Sequence, residues 1–151
     1  MKKQFRRGVL YIRDGRAPIP KKESTSRVMS ANRAKKTGPE LVLQKAVRKA
    51  GVRGARFNFK GVPGSPDIAF SAKRLAVFVH GCFWHHCPKC DLPLPRQNRL
   101  FWRAKFIRNR ERDQKKLQEL KSGEWKTLVI WEHEIKKDPA RAVQRIVKRL
   151  A

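Results

Sequence analysis

Apolar residues at three- and four-residue spacing mark the first firm element of this chain. Leu43, Ala46, Val47 and Ala50 fall at i, i+3, i+4 and i+7, and this stripe predicts a helix over residues 39–50. Thr37 stands where it can cap that helix, with Glu40 three residues later as in a capping box, and Gly51 ends it. The period then changes. Residues 57–60 read as a short strand, and the Gly61-Val-Pro-Gly-Ser-Pro segment is rich in turn formers. Residues 67–70 and 75–79 read as two strands joined by a polar turn over 71–74. The Leu75-Ala-Val-Phe-Val run is apolar without alternation, as expected of a strand covered on both faces. Residues 80–95, rich in Gly, Pro, Cys and His, read as a loop. A long helix is predicted over 98–121, dense in basic residues with Phe101, Trp102, Phe106 and Ile107 among them, and broken by Gly123. Residues 126–132 read as a strand, and 139–150 as a helix on the stripe Val143, Ile146, Val147 and Leu150. The order α, β, β, β, α, β, α predicts an α/β fold, a central mixed sheet flanked by helices.

Length and charge sharpen this picture. The chain has 151 residues, the size of one domain. Its first 26 residues carry scattered Lys and Arg, with Pro18 and Pro20 and no sustained period, so they read as a flexible basic arm ahead of a domain over 27–151. Lys and Arg total 38 against 12 Asp and Glu, a formal charge of +26. Four Trp and eight Phe exclude a disordered basic tail, so a folded domain with this charge should seek a polyanion. DNA or RNA is the leading partner and an anionic membrane surface the second. No apolar run approaches the roughly 18 residues of a spanning helix, and the basic start is not followed by a signal-peptide core. The expected location is the cytoplasm.

Two segments carry candidate chemistry. Asp67 follows Pro66 at the start of a buried strand, where Asp has poor propensity. It reads either as a turn residue bonding its own backbone, or as the hard oxygen ligand that Mg²⁺-dependent phosphodiester cleavage needs. The second segment is His80-Gly-Cys-Phe-Trp-His-His-Cys-Pro-Lys-Cys. Cys82, Cys87 and Cys90 supply three soft ligands, and tetrahedral Zn²⁺ needs four. The fourth is either His86 next door or a distant residue such as His133, which would tie the loop to the end of the last strand. Four protein ligands leave the zinc structural. His80 and His85 are then free to activate water or stabilise a phosphate near neutral pH. Phe83 and Trp84 either pack under the loop or act as a wedge between base pairs.

Taken in order, four blocks resemble the very short patch repair endonucleases, bacterial DNA mismatch nickases. They are Met29-Ser-Ala-Asn-Arg with Lys36-Thr-Gly-Pro-Glu-Leu, then Val62-Pro-Gly-Ser-Pro-Asp-Ile, then Val77-Phe-Val-His-Gly-Cys-Phe-Trp-His-His-Cys-Pro, and Phe101-Trp through Trp131-Glu-His-Glu. The resemblance covers about four fifths of the chain and leaves out the basic arm. It implies a restriction-endonuclease-like core with an added zinc loop. It also implies that Asp67 and the main-chain carbonyl of Val79 bind Mg²⁺, that His80 and His85 are the catalytic histidines, and that Glu40 helps order metal-bound water. Cys82, Cys87, Cys90 and His133 would hold structural zinc, and Phe83, Trp84 and Trp102 would intercalate beside a mismatch. The ligand set departs from the best-known members. Cys87 stands where they carry His, one residue further from Cys90, and His133 where they carry Cys, so three Cys and one His remain; Val79 replaces a Thr.

The expected activity is Mg²⁺-dependent nicking of one strand of duplex DNA at a T·G mismatch from deaminated 5-methylcytosine. Arg99, Arg103 and Lys105 of the long helix would position the DNA backbone. The protein should act as a monomer on double-stranded DNA near the nucleoid, with mismatch-repair proteins as candidate partners. Two alternatives stand beside this: an endonuclease that cuts other DNA in restriction or defence, and a non-catalytic zinc DNA-binding module.

Overall fold

Strand Leu75–His80 (β3) is apolar from Leu75 to Val79 because both of its faces are covered, and it ends in the partly buried His80. The computed structural model describes residues 36–151. The basic arm expected over 1–26 and the Met29-Ser-Ala-Asn-Arg block therefore lie outside the described residues. The first described helix, α1, spans Gly38–Lys49; β1 (Arg56–Phe57) and β2 (Ile68–Phe70) follow, and a 3₁₀ turn, Ser71–Lys73, leads into β3. After a long loop come α2 (Arg99–Ser122), β4 (Lys126–Trp131), α3 (Glu132–Lys137) and α4 (Pro139–Leu150). The sheet order is β1-β2-β3-β4. β1 pairs with β2 and β2 with β3 antiparallel, whereas β3 and β4 run parallel, so the sheet is mixed as the pattern predicts.

Side chains alternate across a strand, and this sorts the layers. Leu75 and Val77 of β3, with Ile68, Phe70, Leu128 and Ile130, meet Leu43 and Val47 of α1, Ile135 of α3 and Val143 and Ile146 of α4. Ala76 and Phe78 face the other way, onto Leu120 and Leu117 of α2. Each fully buried Leu or Val contributes about 1.5–3 kcal/mol relative to exposure. Leu43 and Val47 thereby fasten α1, and with it Glu40, to the sheet. The same alternation sends His80 to the α2 side. Among the described residues, no helix is long and apolar enough to cross a membrane.

Four details depart from the pattern. β1 is shorter and earlier than the 57–60 strand, because Asn58 makes one last rung, its N–H to the Asp67 carbonyl, and then takes φ +52, which turns the chain out of the extended range. Asp67 stands just ahead of β2 rather than in it. The capping box at α1 is rearranged: the Thr37 hydroxyl donates to Glu40 (2.9 Å) instead of accepting from the backbone. The last strand stops at Trp131, where the unforeseen helix α3 starts.

Candidate active site and metal centre

The turn before β2 delivers Asp67 to the edge of β3, where its Oδ2 accepts from the Val79 N–H at 2.7 Å. An extended residue presents its N–H and C=O to the same side, so the Val79 carbonyl opens along this edge, beyond the end of β2. Burial pushes the Asp67 carboxyl up to about 6; the Val79 N–H opposes this, and the charge of Glu40 adds to it. Glu40 is buried on α1 and held by the Lys36 N–H (2.7 Å) and the Thr37 hydroxyl. Two carboxylates thus share a partly buried site beside a backbone carbonyl. These hard oxygen donors suit a divalent cation, which would remove the penalty that burial and Glu40 impose on charged Asp67.

His80 and His85 meet face to face, with ring centroids 4.0 Å apart and planes 11° from parallel. His80 also stands edge-on to Trp131, its register partner on β4, at 5.3 Å. Burial, and then the charge of His85, hold His80 down at about 4, so it is neutral near pH 7. His85 Nδ1 is bonded to Asp113 Oδ2 of α2. Burial works to raise Asp113, but the bond and charge of His85, helped by His80 and Lys116, outweigh it and leave the carboxyl below its ordinary range. An ionised carboxylate only accepts, so His85 donates to Asp113 from Nδ1 and turns its Nε2 edge away from that bond. The donor atoms of His80, His85 and Asp113 lie within 4.8 Å of one another. Stacked imidazoles direct their lone pairs in parallel planes rather than at one point, which favours a proton-handling pair over a metal cage.

On the far side of the loop, Cys82, Cys87, Cys90 and His133 bring their ligand atoms within 4.8 Å of one another, a group that can hold a metal ion. His133 Nδ1 lies 3.3, 3.6 and 3.4 Å from the three sulfurs in that order. His86 is elsewhere, with φ +50 and its ring edge-on to Phe106. Of the two histidines left open by the sequence, the structure brings His133 to the thiols. Burial, with the neighbouring thiols adding, pushes the Cys82 thiol up to about 12. A Cys82 thiolate therefore needs a cation beside it, and three sulfurs with one imidazole are a soft tetrahedral donor set. Glu132 of α3 accepts from the Cys82 N–H at 3.2 Å and pins the loop to the helix that carries His133.

Beside the histidines lies an aromatic cluster of Phe101, Trp102 and Phe106, with Phe83 and Trp84 packed on it. Of the three expected wedge residues, Phe83 and Trp84 are half-buried and Trp102 is buried. Arg99 and Arg103 are exposed on α2. Lys105 is instead half-buried, its ammonium 4.9 Å from the Trp84 ring and 5.4 Å from that of Trp102.

Sequence reasoning missed Asp113 and Asn109, whose amide donates to the Trp84 carbonyl at 3.1 Å. Trp102, Phe106, Asn109, Asp113, Lys116 and Leu120 are spaced four, three, four, three and four residues apart, one continuous face of α2. That spacing was the available signal, masked because the face turns from aromatic to polar halfway along.

A family model described as DNA mismatch endonuclease Vsr matches residues 18–91. The type II nicking enzyme V.NaeI of Lentzea aerocolonigenes is 42% identical over 134 residues, covering 85% of this chain and 80% of the relative. The type II nicking enzyme V.XorIIP of Xanthomonas oryzae is 39% identical, covering 72% and 79%. The DNA mismatch endonuclease Vsr of Escherichia coli is 31% identical, covering 77% and 74%.

Proposed function

This chain belongs to the Vsr family of DNA mismatch endonucleases, and from that premise we propose that it nicks one strand of duplex DNA at T·G mismatches arising from deaminated 5-methylcytosine. It is a DNA endonuclease with a restriction-endonuclease-like α/β core. The reading of a non-catalytic zinc module is set aside on that ground.

The observation that carries the mechanism is the His85–Asp113 pair stacked against His80, the residue after Val79, whose N–H is bonded to Asp67. In our reading Asp67 and the Val79 carbonyl hold Mg²⁺, with Glu40 orienting water nearby. Bound there, Mg²⁺ supplies Lewis-acid polarisation of the phosphate. His85 takes a proton from the attacking water at Nε2, and Asp113 stabilises the resulting imidazolium. The water oxygen bonds to phosphorus as the bond to the 3′ oxygen breaks. That oxygen takes a proton from solvent and His85 returns its proton to solvent, leaving 3′-hydroxyl and 5′-phosphate ends. Neutral His80 donates its N–H to the phosphate rather than acting as a cation. Cys82, Cys87, Cys90 and His133 hold structural zinc, which folds the loop carrying His85 and Trp84.

Phe83 and Trp84, with Trp102 behind them, wedge at a base step that opens cheaply, as a mismatch does. Arg99, Arg103 and the arm over 1–26 hold the phosphate backbone. Action as a monomer on double-stranded DNA in the cytoplasm is part of the same reading. Several relatives are named as type II nicking enzymes, and this favours a second reading, nicking at duplex sites other than T·G. End-labelled duplexes carrying each single mismatch, with matched controls, test both. T·G-selective nicking supports the first reading, and nicking of a matched or different mismatched duplex supports the second.

A further inference from the structure

Helix α2 brings to this site one charged side chain that the mechanism above leaves unused. Lys116 stands one turn beyond Asp113 on the same face. Its stem lies over Gly64, in the turn that delivers Asp67. A Cβ on Gly64 would sit 3.3 Å from Lys116 Cβ and 3.4 Å from its Cγ and Cδ, and Gly64 has φ +78, a conformation glycine adopts freely. The turn therefore makes room for the stem and fixes its course, leaving the ammonium as the freely placed part.

That ammonium is close enough for its charge to act on Asp67, His80 and Asp113. Among the described residues it nevertheless forms no salt bridge with any carboxylate. A lysine serving only to neutralise the site would be bonded to one of the acids beside it. One anchored by its stem beside the Asp67 turn, with its charge felt by all three groups and bonded to none of the acids, is a donor available to an incoming anion. The anion that must lie against Asp67 and the two histidines, on the nuclease reading, is the phosphodiester. We propose that Lys116 is a further catalytic residue of this site, its Nζ donating to a non-bridging oxygen of the scissile phosphate; this rests on the nuclease reading above. Water attack puts one more negative charge on those oxygens than the diester carries. A cation already in place stabilises that charge without reorganisation.

Lys116→Met keeps the apolar stem over Gly64 and removes the charge, and Lys116→Arg restores it. The test is single-turnover nicking of an end-labelled duplex at saturating protein with Mg²⁺. The Met variant should be about a hundredfold slower, the loss seen when one transition-state donor is removed. Its DNA affinity, metal content and melting temperature should stay near wild type, and the Arg variant should recover most of the rate. Duplexes with a single phosphorothioate of either configuration at the scissile phosphate supply the second readout. In the wild type, sulfur at the oxygen that Lys116 contacts should cost an extra loss, and Lys116→Met should remove that part and so change the diastereomer ratio, while the losses due to Mg²⁺ and His80 persist. Met-variant nicking at the wild-type rate, or an unchanged diastereomer ratio, overturns the proposal alone. Wild-type protein that binds duplexes but nicks none overturns the nuclease reading and the proposal with it.

Discussion

Replacing Asp67 by Asn should stabilise the folded protein while abolishing nicking. Burial and the nearby Glu40 raise the Asp67 carboxyl from 3.8 to about 6, so the folded state prefers it protonated. A folded value above the unfolded one contributes stability that is complete below about pH 4 and lost as pH rises through 6. Above pH 7 the charged side chain costs about 3 kcal/mol at most, at 1.36 kcal/mol per unit. Asn carries no charge and keeps an oxygen for the Val79 N–H, so it escapes that cost. The assay is thermal unfolding from pH 4 to 8, in buffer freed of loose divalent ions. At pH 7.5 the variant should melt several degrees higher, and the gap should close toward pH 4. Added Mg²⁺ should raise the wild-type melting temperature and leave the variant's unchanged, because only the native carboxylate binds it. Nicking by the variant should fall below about a hundredth of wild type. An Asn variant no more stable than wild type at pH 7.5, or a gap that ignores pH, would refute this account of Asp67.

Three further outcomes follow from the site. Asp113→Asn should slow single-turnover nicking about a hundredfold or more with DNA affinity retained, since His85 loses its ionised partner; an unchanged rate in that assay removes Asp113 from the mechanism. Cys90→Ser and His133→Ala should each release a metal ion, identified as zinc by elemental analysis, and lower the melting temperature; folded wild-type protein free of zinc would contradict the assignment. Trp84→Ala should lower the ratio of mismatched to matched nicking more than general affinity, whereas a destabilised protein with an unchanged ratio would show that Trp84 serves only packing.

The layers of the fold were legible because they rest on short-range periodicity. The unbroken Leu75-to-Val79 run gave the doubly covered strand, and the stripe through Val143 and Ile146 gave α4 at its observed bounds. Helix α3 was not legible because no Ser, Thr, Asp or Asn marks its start. Its cap is Glu134 reaching back to the Trp131 N–H at 2.9 Å, with Arg145 of α4 holding the carboxylate at 2.8 Å. At the site, the residues on loops and strand ends stood out by type: Asp67 after Pro66, and the Cys and His of the loop. Asp113 and Lys116 did not, since each sits in a strongly basic helix and has meaning only through a partner elsewhere in the chain. Asp113 meets His85 from 28 residues away, and Lys116 meets the turn before β2. Such pairings are tertiary, and no local pattern encodes them.

The central claim is that these residues form a Mg²⁺-dependent nickase that selects a T·G mismatch. The most direct measurement is nicking of end-labelled duplexes, each with one mismatch and its matched control, with and without Mg²⁺. The account predicts a single cut in one strand of the T·G duplex, dependent on Mg²⁺, with 5′-phosphate and 3′-hydroxyl ends. Equal cutting of matched and mismatched duplexes, or cutting that persists without divalent ions, would contradict it.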